Sequence, residues 1–256
     1  MTSNRTLWSL TGTDALTFLQ GLVSNDMRPL ETAPGIVWAA LLTPQGKYLA
    51  DFFVVHLPDG QHLIDIATPL ATDTLRRLTL YRLRADVQIG PATLHLVRGL
   101  GTPPEGALPD PRHPALGWRL YGPVALPEPE VDWDAIRVAH VIPESGIELQ
   151  PDETYILEAG FDRLHGVDFR KGCYVGQEVT ARMRHKTELR KGLVQVLVTG
   201  AAPPGTEITA EDRPVGVLYT QSGGRGIAQL RFDRAQQPML AGDAKVQLAE
   251  AVTVSD

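Results

Sequence analysis

The chain has 256 residues, 43% of them hydrophobic, and a formal charge of −6, which is enough to bury one large core or two ordinary ones and argues against broad nucleic-acid binding, since that depends on an excess of Lys and Arg over the phosphates. Its single cysteine, Cys173, excludes an intramolecular disulfide and a multi-cysteine structural zinc site, and the seven histidines are scattered without metal-ligand spacing, so no metal site is expected. No segment approaches the roughly 20 apolar residues of a spanning helix and the opening is not leader-like, so the expectation is a cytoplasmic protein with no membrane partner.

Leu16, Leu19 and Val23 recur at helical spacing behind Thr13 and Asp14, predicting a helix over 14–25. Apolar runs at 36–42 and 48–57 flank the turn Thr43-Pro44-Gln45-Gly46 and predict a hairpin, followed by a third strand at 62–67. Thr68 and Pro69 open a helix whose apolar face is Leu70, Thr74, Leu75, Leu78 and Tyr81. Short strands at 85–89 and 93–98 complete an α+β block. Pro103, Pro104, Pro109, Pro111, Pro114, Pro123, Pro127 and Pro129 forbid a long helix over about 99–130 and leave room for one strand at 118–121. Asp132 caps a helix running to about 139, and a further helix fits 177–185. Beyond residue 190 the β-type runs 193–198, 215–220, 226–232 and 244–248 alternate with Gly-rich turns, the pattern of a small barrel. The expected domains are therefore 1–190, with two α+β subdomains, and 191–256.

The chemistry concentrates in Arg170-Lys-Gly-Cys-Tyr-Val-Gly-Gln-Glu178. A lone cysteine is most often a small buried filler. Here, however, an ammonium and a helix start flank it, and both favour the thiolate, the reactive form. In an extended segment Lys171 and Cys173 share a side, which casts Lys171 as the activating cation. Downstream, Arg182, Arg184, His185, Lys186, Arg190 and Lys191, interrupted by Glu188 alone among the acids, form the strongest basic stretch in the sequence.

Lys171-Gly-Cys-Tyr-Val-Gly-Gln-Glu178 resembles the K-G-C-[FY]-x-G-Q-E signature of the YgfZ family, itself similar to the aminomethyltransferase, or T-protein, of the glycine cleavage system. Leu10-Thr-Gly-Thr-Asp-Ala15, Phe18-Leu-Gln-Gly-Leu-Val-Ser-Asn-Asp26, Leu42-Thr-Pro-Gln-Gly-Lys47, 137–143 and Leu157-Glu-Ala-Gly160 resemble further segments of those proteins. The resemblance implies an α+β fold of ferredoxin-like, T-protein-type subdomains around a central channel, with a C-terminal β-barrel. It also implies an accessory protein that binds tetrahydrofolate or a one-carbon derivative and supports assembly or repair of iron-sulfur client enzymes, including tRNA-modifying ones. Cys173 and Lys171 would carry the chemistry. Asp51, Tyr174, Gln177, Glu178, Arg182 and Arg137 would contact the folate, and the basic stretch would suit its glutamate tail. Two departures weigh against the alternative, a folate-dependent aminomethyl or one-carbon transferase: Leu49-Ala50-Asp51 keeps only the second of two hairpin acids, and Arg137-Val138-Ala139 lacks the acid that holds the pterin. Whether the protein is an enzyme is left open by these losses.

Overall fold

The computed structural model describes residues 4–127, 129–185, 189–235 and 238–249. The chain divides into two compact units, the first built from 1–131, 151–156 and 161–182, the second from 132–150, 157–160 and 183–256.

The first unit opens with strand β1 (Arg5–Thr11) and helix α1 (Ala15–Gln20), then a single helical turn α2 (Pro29–Thr32) and strands β2 (Gly35–Leu42), β3 (Tyr48–His56) and β4 (His62–Ala67). Helix α3 (Thr68–Arg82) leads to β5 (Gln88–Pro91), and the five strands form an antiparallel sheet in the order β2-β3-β4-β1-β5. Almost every residue of β2, β3 and β4 is buried, because both faces of the sheet are covered. On one face Phe52, Val54, Ile64 and Ile66 pack with Leu10, Leu19, Met27 and Leu78 into the main core. The alternate residues of the same strands, Trp38, Asp51, Phe53 and Asp65, belong to the other face. Helix α1 is shorter than the periodicity predicts: after Gly21 the chain bends so that Val23 bridges to Leu41 in β2, and a strand contact replaces the last helical turn.

Strands β6 (His95–Gly99), β7 (Leu108–Pro109) and β8 (Trp118–Gly122) make a small sheet in the order β6-β8-β7, so the proline-rich stretch holds two strands where one is expected. An ionic cluster ties β8 to the larger sheet. Asp65 accepts from Arg5 Nε at 2.6 Å, from Arg119 Nη2 and from the Tyr121 hydroxyl at 2.8 Å. Arg119 also reaches Asp110 at 3.2 Å, and Asp110 takes a bidentate contact from Arg112 at 2.9 and 3.0 Å. The Phe53 ring lies beneath three guanidiniums, those of Arg119, Arg112 and Arg5, at 4.0, 5.0 and 5.3 Å.

In the second unit α4 (Trp133–His140) starts at Asp132, whose side chain accepts from Ala135 N at 2.8 Å, the cap that the sequence predicts. α5 (Gln177–His185) runs across the division between the units. Strands β9 (Lys191–Thr199), β10 (Thr206–Ala210), β11 (Arg213–Ser222), β12 (Arg225–Arg231), β13 (Met239–Ala241) and β14 (Ala244–Leu248) close a barrel in the order β10-β11-β12-β9-β14-β13. Its interior is Val196, Ile208, Leu218, Leu230, Ala241 and Val246, all without exposed surface. No helix among the described residues is long and apolar enough to cross a membrane.

Candidate functional site

The signature segment is held by the opening motif and by the hairpin turn, all within the first unit. Lys171 is buried, and its ammonium donates to the Gln20 carbonyl and lies 4.8 Å from the centre of the Tyr174 ring. Gln20 returns a bond from Nε2 to the Lys171 carbonyl at 3.0 Å, and its Oε1 accepts from Met27 N at 2.7 Å. Ser24 and Asn25 add donors to the Gly166 and His165 carbonyls at 2.7 Å each, and Ser24 O accepts from Asp168 N at 3.0 Å. The motif 18–26 is thus the cradle of a loop about 150 positions later, a role that no local pattern reveals.

Two glycines make the second contact. A Cβ on Gly176 would stand 2.6 Å from the Thr43 carbonyl, and one on Gly46 would stand 2.8 Å from Val179. Both residues also have positive φ, 84° and 74°, so backbone geometry and close approach alike require glycine. Gly172 is different: its φ of 99° needs glycine, but nothing lies within 4 Å of its missing side chain. That turn breaks the extended geometry expected for 171–173. Lys171 points inward to Gln20, and Cys173 is exposed. Burial pulls the Lys171 ammonium down to about 8, against the opposing charges of Asp26, Asp168 and Cys173. Tyr174 is buried, and burial pushes its phenol up while a hydrogen bond with Thr180 pulls it down. The Gln177 side chain accepts from Tyr174 N at 3.3 Å at the start of α5. Glu178, in the first turn, is exposed, as is Arg182.

Asp51 sits on β3 and is 3% exposed. Its carboxylate accepts from Trp38 Nε1 at 2.8 Å and from the Tyr48 hydroxyl at 2.6 Å. Residues 48 and 51 of a regular strand face opposite ways. The pairing of β2 with β3 slips here, Leu41 opposing Ala50 and Leu42 opposing Tyr48, so Leu49 is an extra residue and the bulge turns Tyr48 toward Asp51. Trp38 is fixed in turn by stacking on Phe161, with ring centres 4.0 Å apart. Sequence reasoning picked out Asp51 but missed Trp38 and Tyr48, since the bulge leaves no composition signal. The same hairpin is clamped by 151–156, where Tyr48 N donates to Thr154 O at 2.9 Å and Lys47 Nζ to Glu153 O at 2.8 Å.

Arg137 belongs to the second unit. Its guanidinium is buried and donates to Glu148, to Asp134 at 2.8 Å, to the Ile142 carbonyl at 3.2 Å and to Thr220 at 3.2 Å. Ala139, two residues on, is exposed, and its carbonyl accepts from Gln195 at 3.3 Å. Within the basic stretch, Arg184, His185 and Arg190 are exposed, and Lys191 pairs with Glu158 at 3.2 Å. Lys186 and Glu188 lie outside the described residues. Among the described residues no group of three or more His, Cys, Asp or Glu could hold a metal ion.

This architecture, an α+β unit followed by a closed barrel, is that of the glycine cleavage T-protein. The aminomethyltransferase T of Bartonella henselae superposes with a TM-score of 0.73 over 95% of this chain and 82% of that one, at 14% identity. Residues 190–253 match the family model of the CAF17 C-terminal beta-barrel domain. The human mitochondrial iron-sulfur cluster assembly factor IBA57 is 30% identical, the alignment covering 98% of this chain and 83% of the human protein. The IBA57 homolog of Mycosarcoma maydis is 32% identical over 79% of this chain, and the match spans 58% of its own length. The chain belongs to the IBA57 family of iron-sulfur cluster assembly factors.

Proposed function

We propose that this protein acts in iron-sulfur protein assembly through the exposed thiol of Cys173, with a tetrahydrofolate as its ligand, and that its kinship extends to the YgfZ proteins whose signature it carries. The observation that carries the reading is a thiol held out from an anchored segment: Cys173 is exposed, while Lys171 two residues before it and Tyr174 directly after it are buried. A single thiol cannot hold a cluster, which normally takes four protein thiolates. The cluster is therefore substrate, and Cys173 contributes one ligand or one transient bond while the client or another assembly protein contributes the rest.

The residues of the first unit fit a folate in one respect. Asp51 is a buried carboxylate that accepts from an indole and a phenol, a fixed acceptor of the kind that the N–H groups of a pterin require. Bound there, a folate would supply a one-carbon unit or its carrier. Gln177 and Glu178 would orient the ligand at the start of α5, and Arg182 would meet its glutamate tail. Ala139 brings a methyl group where the aminomethyltransferases place an acid, which favours weak binding and an accessory role over aminomethyl transfer. The clients we propose include tRNA-modifying enzymes. The proposed compartment is the cytoplasm, although the relatives named above are mitochondrial.

Reconstitution of an apo client enzyme that needs a four-iron cluster tests the reading. With an iron and sulfide source and this protein present, client activity should recover faster than without it. Cys173→Ser should abolish the gain, and added tetrahydrofolate should change its rate. An equal gain from wild type and Cys173→Ser would refute the role of the thiol.

A further inference from the structure

The C-terminal end of α3 has a composition found nowhere else in the chain. Between Asp73 and Asp86 the sequence carries four arginines, Arg76, Arg77, Arg82 and Arg84, with no acid and no lysine. The same stretch exposes three large apolar side chains, Leu80 at 68%, Tyr81 at 42% and Leu83 at 88%. The core takes the other side of the helix through Ala71, Thr74 and Leu78. Helical spacing then places Arg76 beside Leu80 and Arg77 beside Tyr81.

Leu83 closes the patch with φ at 48°, in the positive-φ region that favours glycine. Neither helix termination nor burial asks for a leucine there. Single exposed apolar residues are ordinary, but three within four positions, rimmed by guanidiniums, mark an interaction surface.

We propose that this end of α3 docks a partner protein whose matching surface is acidic and carries an apolar contact. Charge complementarity sets the sign: the chain is acidic as a whole, and although Arg76 pairs with Asp73 at 3.7 Å and Arg82 donates to the Val87 carbonyl at 3.2 Å, four guanidiniums gather here with no acid between residues 73 and 86. The choice of arginine throughout sets the chemistry, since the planar guanidinium grips carboxylates in a bidentate fork and stacks on neighbouring side chains, where an ammonium is a point charge. Arg and Tyr are also the residues that dominate protein–protein hot spots. A lipid-surface helix has a broad apolar face with Trp or Phe and a Lys-containing polar face, which three apolar side chains at one helix end do not supply. The surface is separate from the Cys173 loop and stands whether or not the folate reading holds.

The test uses the full chain and two synthetic helical peptides with leucines at i, i+3, i+4 and i+7, one with glutamates and the other with lysines at the remaining positions. Fluorescence anisotropy at low and high salt reads binding, and sedimentation with phosphatidylcholine vesicles containing phosphatidylserine reads lipid attachment. The glutamate peptide should bind, more weakly at high salt. Binding should fall about tenfold or more in Leu80→Ser/Leu83→Ser and again in Arg77→Glu/Arg84→Glu. Leu80, Leu83 and Arg84 are exposed and Arg77 is half-buried, and circular dichroism should show both variants folded. No binding of the glutamate peptide at low salt, or equal binding by wild type and both variants, would overturn the proposal. Vesicle sedimentation that the same variants abolish would assign the patch to lipid and overturn it too.

Discussion

Two aspartates on adjacent strands of one sheet, Asp51 on β3 and Asp65 on β4, are buried almost equally and held by different partners. Asp65 meets two guanidiniums and a phenol, while Asp51 meets an indole and a phenol. Burial alone would raise the Asp65 carboxyl, but Arg5 and Arg119 outweigh it and hold the group well below the usual carboxylate range. An acid so paired has its charge committed to the fold, where it pins β8 and β1 to the same strand. Asp51 is fixed in position by donors from β2 and β3, and we propose that it is this acid that meets a ligand.

The comparison breaks most visibly at Asp65. Asp65→Asn takes from Arg5 and Arg119 the buried carboxylate they share and leaves Asp110 as the acid beside Arg119, and we expect a loss of about 3–5 kcal/mol in urea unfolding. In the wild type the contribution of Asp65 is present at neutral pH and is lost as the pH falls below about 4, where the unfolded carboxyl takes up a proton. Acid unfolding of wild type should therefore be steeper below that pH than acid unfolding of the variant. A loss under 1 kcal/mol would mean that the cluster relaxes around the missing charge.

Asp51→Asn should cost less, about 1–3 kcal/mol, because the amide oxygen still accepts from one of the two donors and strands the other. Its effect on tetrahydrofolate should be the larger one: calorimetric titration should show binding lost in Asp51→Asn and kept in folded Asp65→Asn. Equal loss in both would remove the distinction between the two acids. Ala139→Glu sharpens it from the ligand's side. The position is exposed, so the longer side chain fits without strain, and it should tighten tetrahydrofolate by about tenfold. No change would mean that pterin recognition in this chain does not use the residue after Val138.

The smallest effect belongs to the buried cation Lys171, whose ammonium meets the Gln20 carbonyl and the Tyr174 ring. Lys171 titrates at about 8 in the folded protein, against about 10.4 when unfolded. Between these values the unfolded chain binds more protons, so its contribution to stability rises with pH through that window. Lys171→Met should remove that rise. Urea midpoints measured from neutral to alkaline pH check it, and a parallel profile in the variant would contradict the assignment.

Much of the fold is legible in the sequence because the signals are local. The apolar runs and the Thr43–Gly46 turn predict β2 and β3, the Asp132 cap predicts α4, and 177–185 is helical as expected. Strands β10 and β13 escape because they are short, five and three residues, and earn their place only by closing the barrel through the pairs Ile208↔Ala241 and Thr209↔Leu240. At the site, Cys173 and its glycines are legible as a motif, but the direction of Lys171 is not. It turns on the Gly172 φ and on a carbonyl 151 residues away. Asp51 is legible as an acid in the hairpin, whereas its two donors depend on the bulge at Leu49.

The place of β1 inside the sheet has a consequence for synthesis. Its partners are β4, with Arg5 opposite Ala67, and β5, with Trp8 opposite Pro91, so β1 is made well before either strand that pairs with it. At roughly 5–20 residues per second, a ribosome needs several seconds to supply those partners. During that interval Leu7, Trp8 and Leu10 wait unpaired on the nascent chain, and the non-local closure that follows is of the slow kind. These apolar residues of β1 thus stay open to chaperones until β4 and β5 have been made.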